Sequence, residues 1–390
     1  MEPRIAAKPQ QFEESVIRLM TRLVNAVGGI NLAQGFPDFP APQALKDAAC
    51  AAIQADVNQY AITWGAPTLR AAIAAKYSPL LGRDLDPEQE ITVVCGATEA
   101  MLAAILAVVD PGDEVVVFEP FYENYGPDTV LSGARPRYVA LEPPDWRFDP
   151  DALAAAFGPR TRAIIINTPH NPTGKVFTRA ELEQIAALCQ RWNAVAITDE
   201  IYEHLVYEGE HVRIATLPGM WERTITISGL SKTYSVTGWR LGYLLAPARL
   251  TVPIRRVHDF LTVGAAAPLQ EGAAVALRFG PEYYADLLAG YAERRAVLLA
   301  GLQAAGFHVY PPAGAYYIMT DITPLGGTDD VAFVRQMIEQ VGVAAVPGSS
   351  FYADRARGRT QVRFAFPKRI ETLRAAGERL AQLPARLATV

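Results

Sequence analysis

Between residues 99 and 246 the chain alternates apolar β-type runs with helical stretches. That alternation restricts the fold more than any other feature of its 390 residues. Runs 114–119, 162–167, 194–199, 224–228 and 242–246 read as strands, and 99–109, 149–157 and 179–192 as helices. A strand apolar on both faces must be covered on both faces, which selects a mostly parallel central sheet between helices, an α/β fold. Such sheets bind ligands beyond the carboxyl ends of their strands. Asn167, Asp199 and Ser228 stand at three of those ends, so a site is expected there.

The flanks read differently. Val16, Ile17, Leu19, Met20, Leu23 and Val24 recur at helical spacing, which predicts an amphipathic helix over 13–27 that Gly28-Gly29 stops. INLAQGFPDFPAP, 30–42, reads as irregular chain, followed by a helix over 42–55. After about Pro281 a long helix, 283–305, leads to short strands at 316–321 and 361–366. That pattern predicts a second, smaller α+β domain, with 45–280 as the large one.

Composition excludes several classes. Half the residues are hydrophobic and a fifth charged, as in a globular enzyme. A net charge of −5 gives no general attraction to nucleic acid or an anionic membrane. Cys50, Cys95 and Cys189 are odd in number and scattered, so no disulfide framework is expected and a cytoplasmic compartment is the default. No signal-peptide core and no apolar run near the ~20 residues of a membrane span is expected. His170, His204, His211, His258 and His308 lack a ligand spacing such as HExxH, so no metal is expected.

The chemistry concentrates around Lys232, in Ser228-Gly229-Leu230-Ser231-Lys232-Thr233-Tyr234, with Arg240 eight residues on. Upstream lie Asn171-Pro172-Thr173-Gly174 and Thr198-Asp199-Glu200-Ile201-Tyr202. A lysine amine, near pKa ~10.4 when free, is a poor nucleophile. As a Schiff base it can be displaced by a substrate amine, and once released it can move a proton. Asp199 ends a buried apolar run, where an ionised carboxylate needs a cationic partner such as a protonated pyridine nitrogen. Tyr202 and Asn171 can hydrogen-bond a phenolic oxygen on that ring. Gly96-Ala97-Thr98 precede a helix whose free N–H groups suit a phosphate, and Arg240 adds a bidentate cation. Singly these are a solvated lysine, a strand-end cap, a core tyrosine, a turn and a helix start. Together they supply the groups that pyridoxal phosphate requires.

NLAQGFPDFPAP, NQYAITWGAP, EPFYENY, NTPHNPTGKVF, ITDEIYEHLVY, GMWERTITIS and TGWRLGY resemble the class I aminotransferases of pyridoxal phosphate fold type I. They are most similar to the branch holding kynurenine/glutamine, methionine and N-succinyldiaminopimelate aminotransferases. The resemblance implies a homodimer with shared active sites, in which Tyr60 reaches the partner's phosphate. It implies that Tyr122 stacks on the cofactor ring and that Ser231 joins the cofactor-binding residues. It makes Arg363 the clamp for the substrate α-carboxylate, assisted by Gly35 and Asn171. From alternation alone, Arg363 could equally face solvent. It also implies that 1–44 pack with 281–390 in a discontinuous small domain.

Three positions depart from the branch. Gly229 stands where a phosphate-binding hydroxyl is frequent, leaving Ser228 or Ser231 to replace it. Thr262-Val263-Gly264-Ala265-Ala266-Ala267-Pro268 has small residues where the kynurenine enzymes carry an aromatic, and the first helix has no tryptophan. Both weaken aromatic preference and look more like the succinyldiaminopimelate enzymes. No arginine for a distal substrate carboxylate stands out. The expected reaction is amino-group exchange between an L-amino acid (methionine- or glutamine-like, or N-succinyldiaminopimelate) and a 2-oxo acid. The alternatives are a cysteine-S-conjugate β-lyase using the same residues and a cofactor-binding regulator without turnover. The regulator would need a DNA-binding module, for which no segment is spare.

Overall fold

The computed structural model describes residues 3–12 and 14–387. Its first short strand, β1 (Ile30–Asn31), interrupts the stretch read as irregular. Seven strands then build the main sheet: β2 (Ile91–Val94), β3 (Glu114–Glu119), β4 (Arg135–Ala140), β5 (Thr161–Asn167), β6 (Val195–Asp199), β7 (Thr224–Gly229) and β8 (Gly242–Leu245). Their order is β2-β8-β7-β6-β5-β3-β4. β4, β3, β5, β6 and β7 pair in parallel, and β8 runs antiparallel to both β7 and β2. Alternation explains the double cover. In β3, Val115 and Val117 enter one buried cluster while Val116 and Phe118 enter another on the opposite face. Each fully buried side chain of this size contributes about 1.5–3 kcal/mol of hydrophobic transfer.

The first five helices are α1 (Val16–Ala26), α2 (Gln43–Gln54), α3 (Pro67–Leu81), α4 (Gly96–Val108) and α5 (Tyr125–Ser132). α1 is capped by the Ser15 side chain, which accepts from Arg18 N. A 24-residue helix, Pro281–Ala304, precedes the second sheet. That sheet joins β9 (His308–Tyr310), β10 (Tyr317–Asp321), β12 (Val346–Pro347) and β13 (Gln361–Ala365) in the order β12-β13-β10-β9, all antiparallel. β11 (Val343–Ala344) pairs in parallel with β1. Met20 and Val24 of α1 sit in one cluster with Ile318, Val346 and Phe364, so the first helix packs on this second sheet. Ile201 and Tyr202, just past β6, belong to the same cluster. The carboxyl ends of the main strands therefore meet the second sheet.

The apolar-run reading leaves several features unread, among them β4, α3 and the direction of β8. β4 alternates exposed and half-buried residues and carries Pro136, as an edge strand can. α3 holds Pro67 in its first turn and Pro79 in its last, a composition that reads as breakage. The reversed direction of β8 leaves no mark on its own residues, since partners on both sides are equally apolar. Among the described residues no helix is long and apolar enough to cross a membrane.

One buried charge is a stability determinant. Asp128 on α5 is buried, its Oδ2 has no hydrogen-bond partner, and burial pushes its carboxyl up to about 7. A folded-state value above the unfolded one stabilises the fold fully below about pH 4, and that stabilisation is lost as pH rises through about 7. Asp128→Asn removes the cost of the bare carboxylate. Thermal melts should show the variant more stable by about 4 kcal/mol near pH 8, with the difference shrinking as pH falls and gone below about pH 4. A gain independent of pH would contradict this account.

Candidate active site

A cavity of about 500 Å³ opens at the carboxyl ends of β5, β6 and β7. Its wall includes Gly35, Ala97, Thr98, Tyr122, Asn171, Asp199, Tyr202, Ser231, Lys232, Arg240 and Arg363. Residues separated by more than three hundred positions in sequence thus share one surface. Gly96 lies just behind it: a Cβ there would sit 2.7 Å from Arg240 Nη2. The φ of +85° at Gly96 also favours glycine. Tyr60 is absent from this wall. It is 88% exposed and borders a separate depression with Val57, Ile62 and Ala267.

The basic end is built at α4. The first N–H groups of a helix lack intrahelical acceptors, and Ala97 and Thr98 bring that end to the cavity. Arg240 donates from Nη1 to Thr237 O at 3.1 Å and from Nη2 to Thr98 Oγ1 at 3.4 Å. Its backbone is left-handed, φ +52°, which is uncommon outside glycine. Ser231 lines the wall, but Ser228 does not: Ser228 Oγ donates to Glu203 Oε1 at 3.0 Å, within the buried interior. That corrects the expectation that Ser228 marks the site or replaces the missing hydroxyl. Position 229 has no room for one either, because a Cβ would lie 2.9 Å from Leu241 O.

Deep in the cavity, Asp199 accepts from Tyr125 Oη at 2.8 Å and from Ile201 N at 3.2 Å. Burial raises its carboxyl to about 6, and the Tyr125 hydrogen bond works in the opposite direction. Lys232 is half-buried, and its Nζ donates to Gly35 O at 3.3 Å. Burial, then the charge of Arg240, bring its amine down to about 8. A substantial fraction is therefore neutral at physiological pH and able to take a proton. Burial holds the Tyr122 and Tyr202 phenols protonated, far above their ordinary value. Tyr202 Oη lies 3.0 Å from Tyr317 Oη.

Arg363 is 1% exposed, so the solvent-facing alternative does not hold. All of β13 is buried, because the second sheet has both faces covered. Arg363 Nη1 donates to Asn171 Oδ1 at 2.7 Å and Nη2 to Ala33 O at 2.9 Å, while Nε has no partner. Its guanidinium lies over the Tyr317 and Phe351 rings, 4.2 and 4.8 Å from their centroids. Tyr316 Oη donates to Gly35 O at 2.7 Å and so ties the Gly35 loop to β10.

Sequence reasoning missed Tyr125, Tyr317, Thr237 and Arg18 in this wall. Tyr125 follows Tyr122 by three residues in EPFYENY, and that spacing was the available signal. Arg18 lies on α1 beside Ile17 and makes no side-chain hydrogen bond among the described residues. Outside the cavity, Glu200, Glu203 and His211 bring ligand-type atoms within 4.8 Å of one another. Arg213 pairs with both carboxylates and already supplies the charge an ion would bring.

The arrangement offers an anion cradle, a buried carboxylate, a partly neutral amine and a second cation clamp in one cavity. Comparison with known proteins agrees with that set. The family model for aminotransferase class I and II matches residues 27–376. A probable N-succinyldiaminopimelate aminotransferase of Mycobacterium tuberculosis is 43% identical, over 97% of this chain and 98% of that one. The methionine aminotransferase of Escherichia coli is 39% identical over 97% and 98%. The solved N-succinyldiaminopimelate aminotransferase of M. tuberculosis superposes with a TM-score of 0.95 at 42% identity, covering 97% of this chain and all of that one.

Proposed function

The chain belongs to the class I and II aminotransferases, and from that premise we propose that it carries pyridoxal phosphate on Lys232 and exchanges the amino group of an L-amino acid with a 2-oxo acid. The observation that carries this reading is the single cavity in which Lys232 lies between Asp199 and the open donors of Arg240 and α4. The residues fit the cofactor. The cradle at Gly96 would be filled by any Cβ, the Arg240 fork makes two hydrogen bonds among the described residues, and Asp199 is a buried carboxylate with no cationic hydrogen-bond partner among them. Gly96, Ala97, Thr98, Ser231 and Arg240 would hold the phosphate, Asp199 the ring nitrogen, and Tyr202 with Asn171 the phenolic oxygen. Tyr122 would cover the ring face. When bound, the cofactor supplies an electron sink for the pair left at the substrate α-carbon.

The chain's own residues do the rest. Arg363, Asn171 and the Gly35 backbone hold the α-carboxylate and so fix which bond at Cα faces Lys232. Lys232 Nζ would take the proton from Cα and hold it as the ammonium. Ile17, Phe36 and Met101 line the cavity beside Arg18. That wall suits an elongated donor with an aliphatic chain and a terminal carboxylate, as in N-succinyldiaminopimelate. Methionine- and glutamine-like donors are the second choice. Residues 45–280 then form the cofactor domain and 1–44 with 281–390 the small one, in a cytoplasmic enzyme. A homodimer is supported by the exposed apolar residues Tyr60, Ile62, Phe260 and Val263, whose two segments are joined by a hydrogen bond between His258 Nε2 and Thr63 O at 2.7 Å. Tyr60 would complete the partner's phosphate site.

The test is the absorbance spectrum of the purified chain with pyridoxal phosphate, titrated with N-succinyldiaminopimelate, methionine, glutamine, phenylalanine and kynurenine. The expected result is conversion of the lysine-linked band to the pyridoxamine band, with the first donor most effective. A band that no donor converts, together with pyruvate and ammonia from cysteine conjugates, would favour the β-lyase alternative. Absence of any band would overturn the reading.

A further inference from the structure

Asp199 has few means of staying ionised. It is buried at the end of β6, and its side chain accepts two hydrogen bonds. One is from the Ile201 backbone at 3.2 Å, which any sequence would supply. The other, shorter at 2.8 Å, is from the Tyr125 hydroxyl, 74 residues away on α5. Tyr125 is itself 3% exposed, and its ring meets Tyr122 edge-on, with centroids 5.7 Å apart. The hydroxyl is therefore aimed by a packed ring at one carboxylate oxygen. The backbone N–H is on Oδ1 and the phenol on Oδ2, so the two donors together set the rotation of the carboxylate.

We propose that Tyr125 is a positioning residue that keeps the Asp199 carboxylate charged and aimed at the cofactor's ring nitrogen. This rests on the functional reading given above. The physical reason is that a buried anion with a single backbone donor prefers to bind a proton, and a neutral acid cannot pair with a ring cation. A hydrogen bond to a charged acceptor is among the stronger ones available in an interior. Its direction agrees: the phenol acts to lower a carboxyl that burial has raised to about 6. The other charge facing Asp199 are Lys232, which also lowers it, and Glu200, which raises it. Neither makes a hydrogen bond to the carboxylate.

The experiment compares full-length wild type with Tyr125→Phe, which keeps the ring and its contact with Tyr122. Pyridoxal phosphate affinity is measured by absorbance titration from about pH 6 to about pH 8.5. Loss of the phenol should move the Asp199 midpoint up by about one pH unit. The variant should then bind about fivefold more weakly near pH 6 and approach wild type above about pH 8. In an Asp199→Asn background, Tyr125→Phe should make no pH-dependent difference. Equal affinities at all pH values would overturn the proposal, and so would a weakening of the same size at every pH, which is what lost packing produces. If the wild type itself takes up no cofactor, the functional reading falls and the proposal with it. If the wild type binds normally, only the role of Tyr125 is at stake.

Discussion

Lys232→Ala is expected to lower the amino-acid half-reaction by at least about 10⁴-fold, the upper range for losing a positioned general base. Lys232 is the one lysine in the cavity wall among the described residues. The other cations there, Arg18, Arg240 and Arg363, do not give up a proton in a protein. Tyr122 and Tyr202 remain protonated, and Asp199 is held by Tyr125 and Ile201. Glu123, the other carboxylate of the wall, is engaged by the Ser15 hydroxyl. Cofactor binding should survive, because on the proposed reading the phosphate and ring contacts would come from α4, Arg240 and Asp199. The measurement is single-turnover absorbance with the cofactor bound. Measurable transamination by this variant would refute the assignment.

Arg363→Ala should lower kcat/KM for amino-acid donors by about 10³-fold, within the range for truncating one side of a buried, hydrogen-bonded charge pair. The guanidinium is fully buried and clamped between two rings, and it is pre-aimed by Asn171 and Ala33. Little rotamer freedom remains to be lost when a carboxylate arrives. Arg363→Lys keeps the charge but not the planar fork, so it should recover only part of the loss. An amine that lacks the α-carboxylate provides the control. Its slow reaction should be equal in wild type and both variants, and the cofactor spectrum should not change. A loss that extends to that amine would show that Arg363 supports the fold of the site and does not bind carboxylate.

The contrast between Lys232 and Ser228 explains which parts of the site were legible. Lys232, Asp199, Asn171 and Arg240 lie in short runs whose residue types announce chemistry, and all four reach the cavity. Ser228 lies in the same run as Lys232, yet it faces Glu203 inside the protein. Ser228 is still inside β7, whereas Lys232 stands three residues past its end at Gly229, and the cavity opens at the strand ends. The Tyr125 contact with Asp199 spans 74 residues, and that of Arg363 with Asn171 spans 192. No local pattern encodes either. Tyr60 is readable as an exposed aromatic, and it borders a depression apart from its own chain's cavity.

The sequence by itself determined the mostly parallel sheet, the strand ends where the cavity opens and many of the polar groups that line it. These follow from periodicity and from residue type, both of which are local. Tertiary structure alone decided the antiparallel course of β8, the burial of Arg363, the inward turn of Ser228 and the placing of Arg18 and Tyr125 on the cavity wall. Each depends on which surfaces meet when α1, α5 and the second sheet close over the strand ends. Such meetings are set by packing between distant segments, and a single residue's neighbours in sequence carry no record of them.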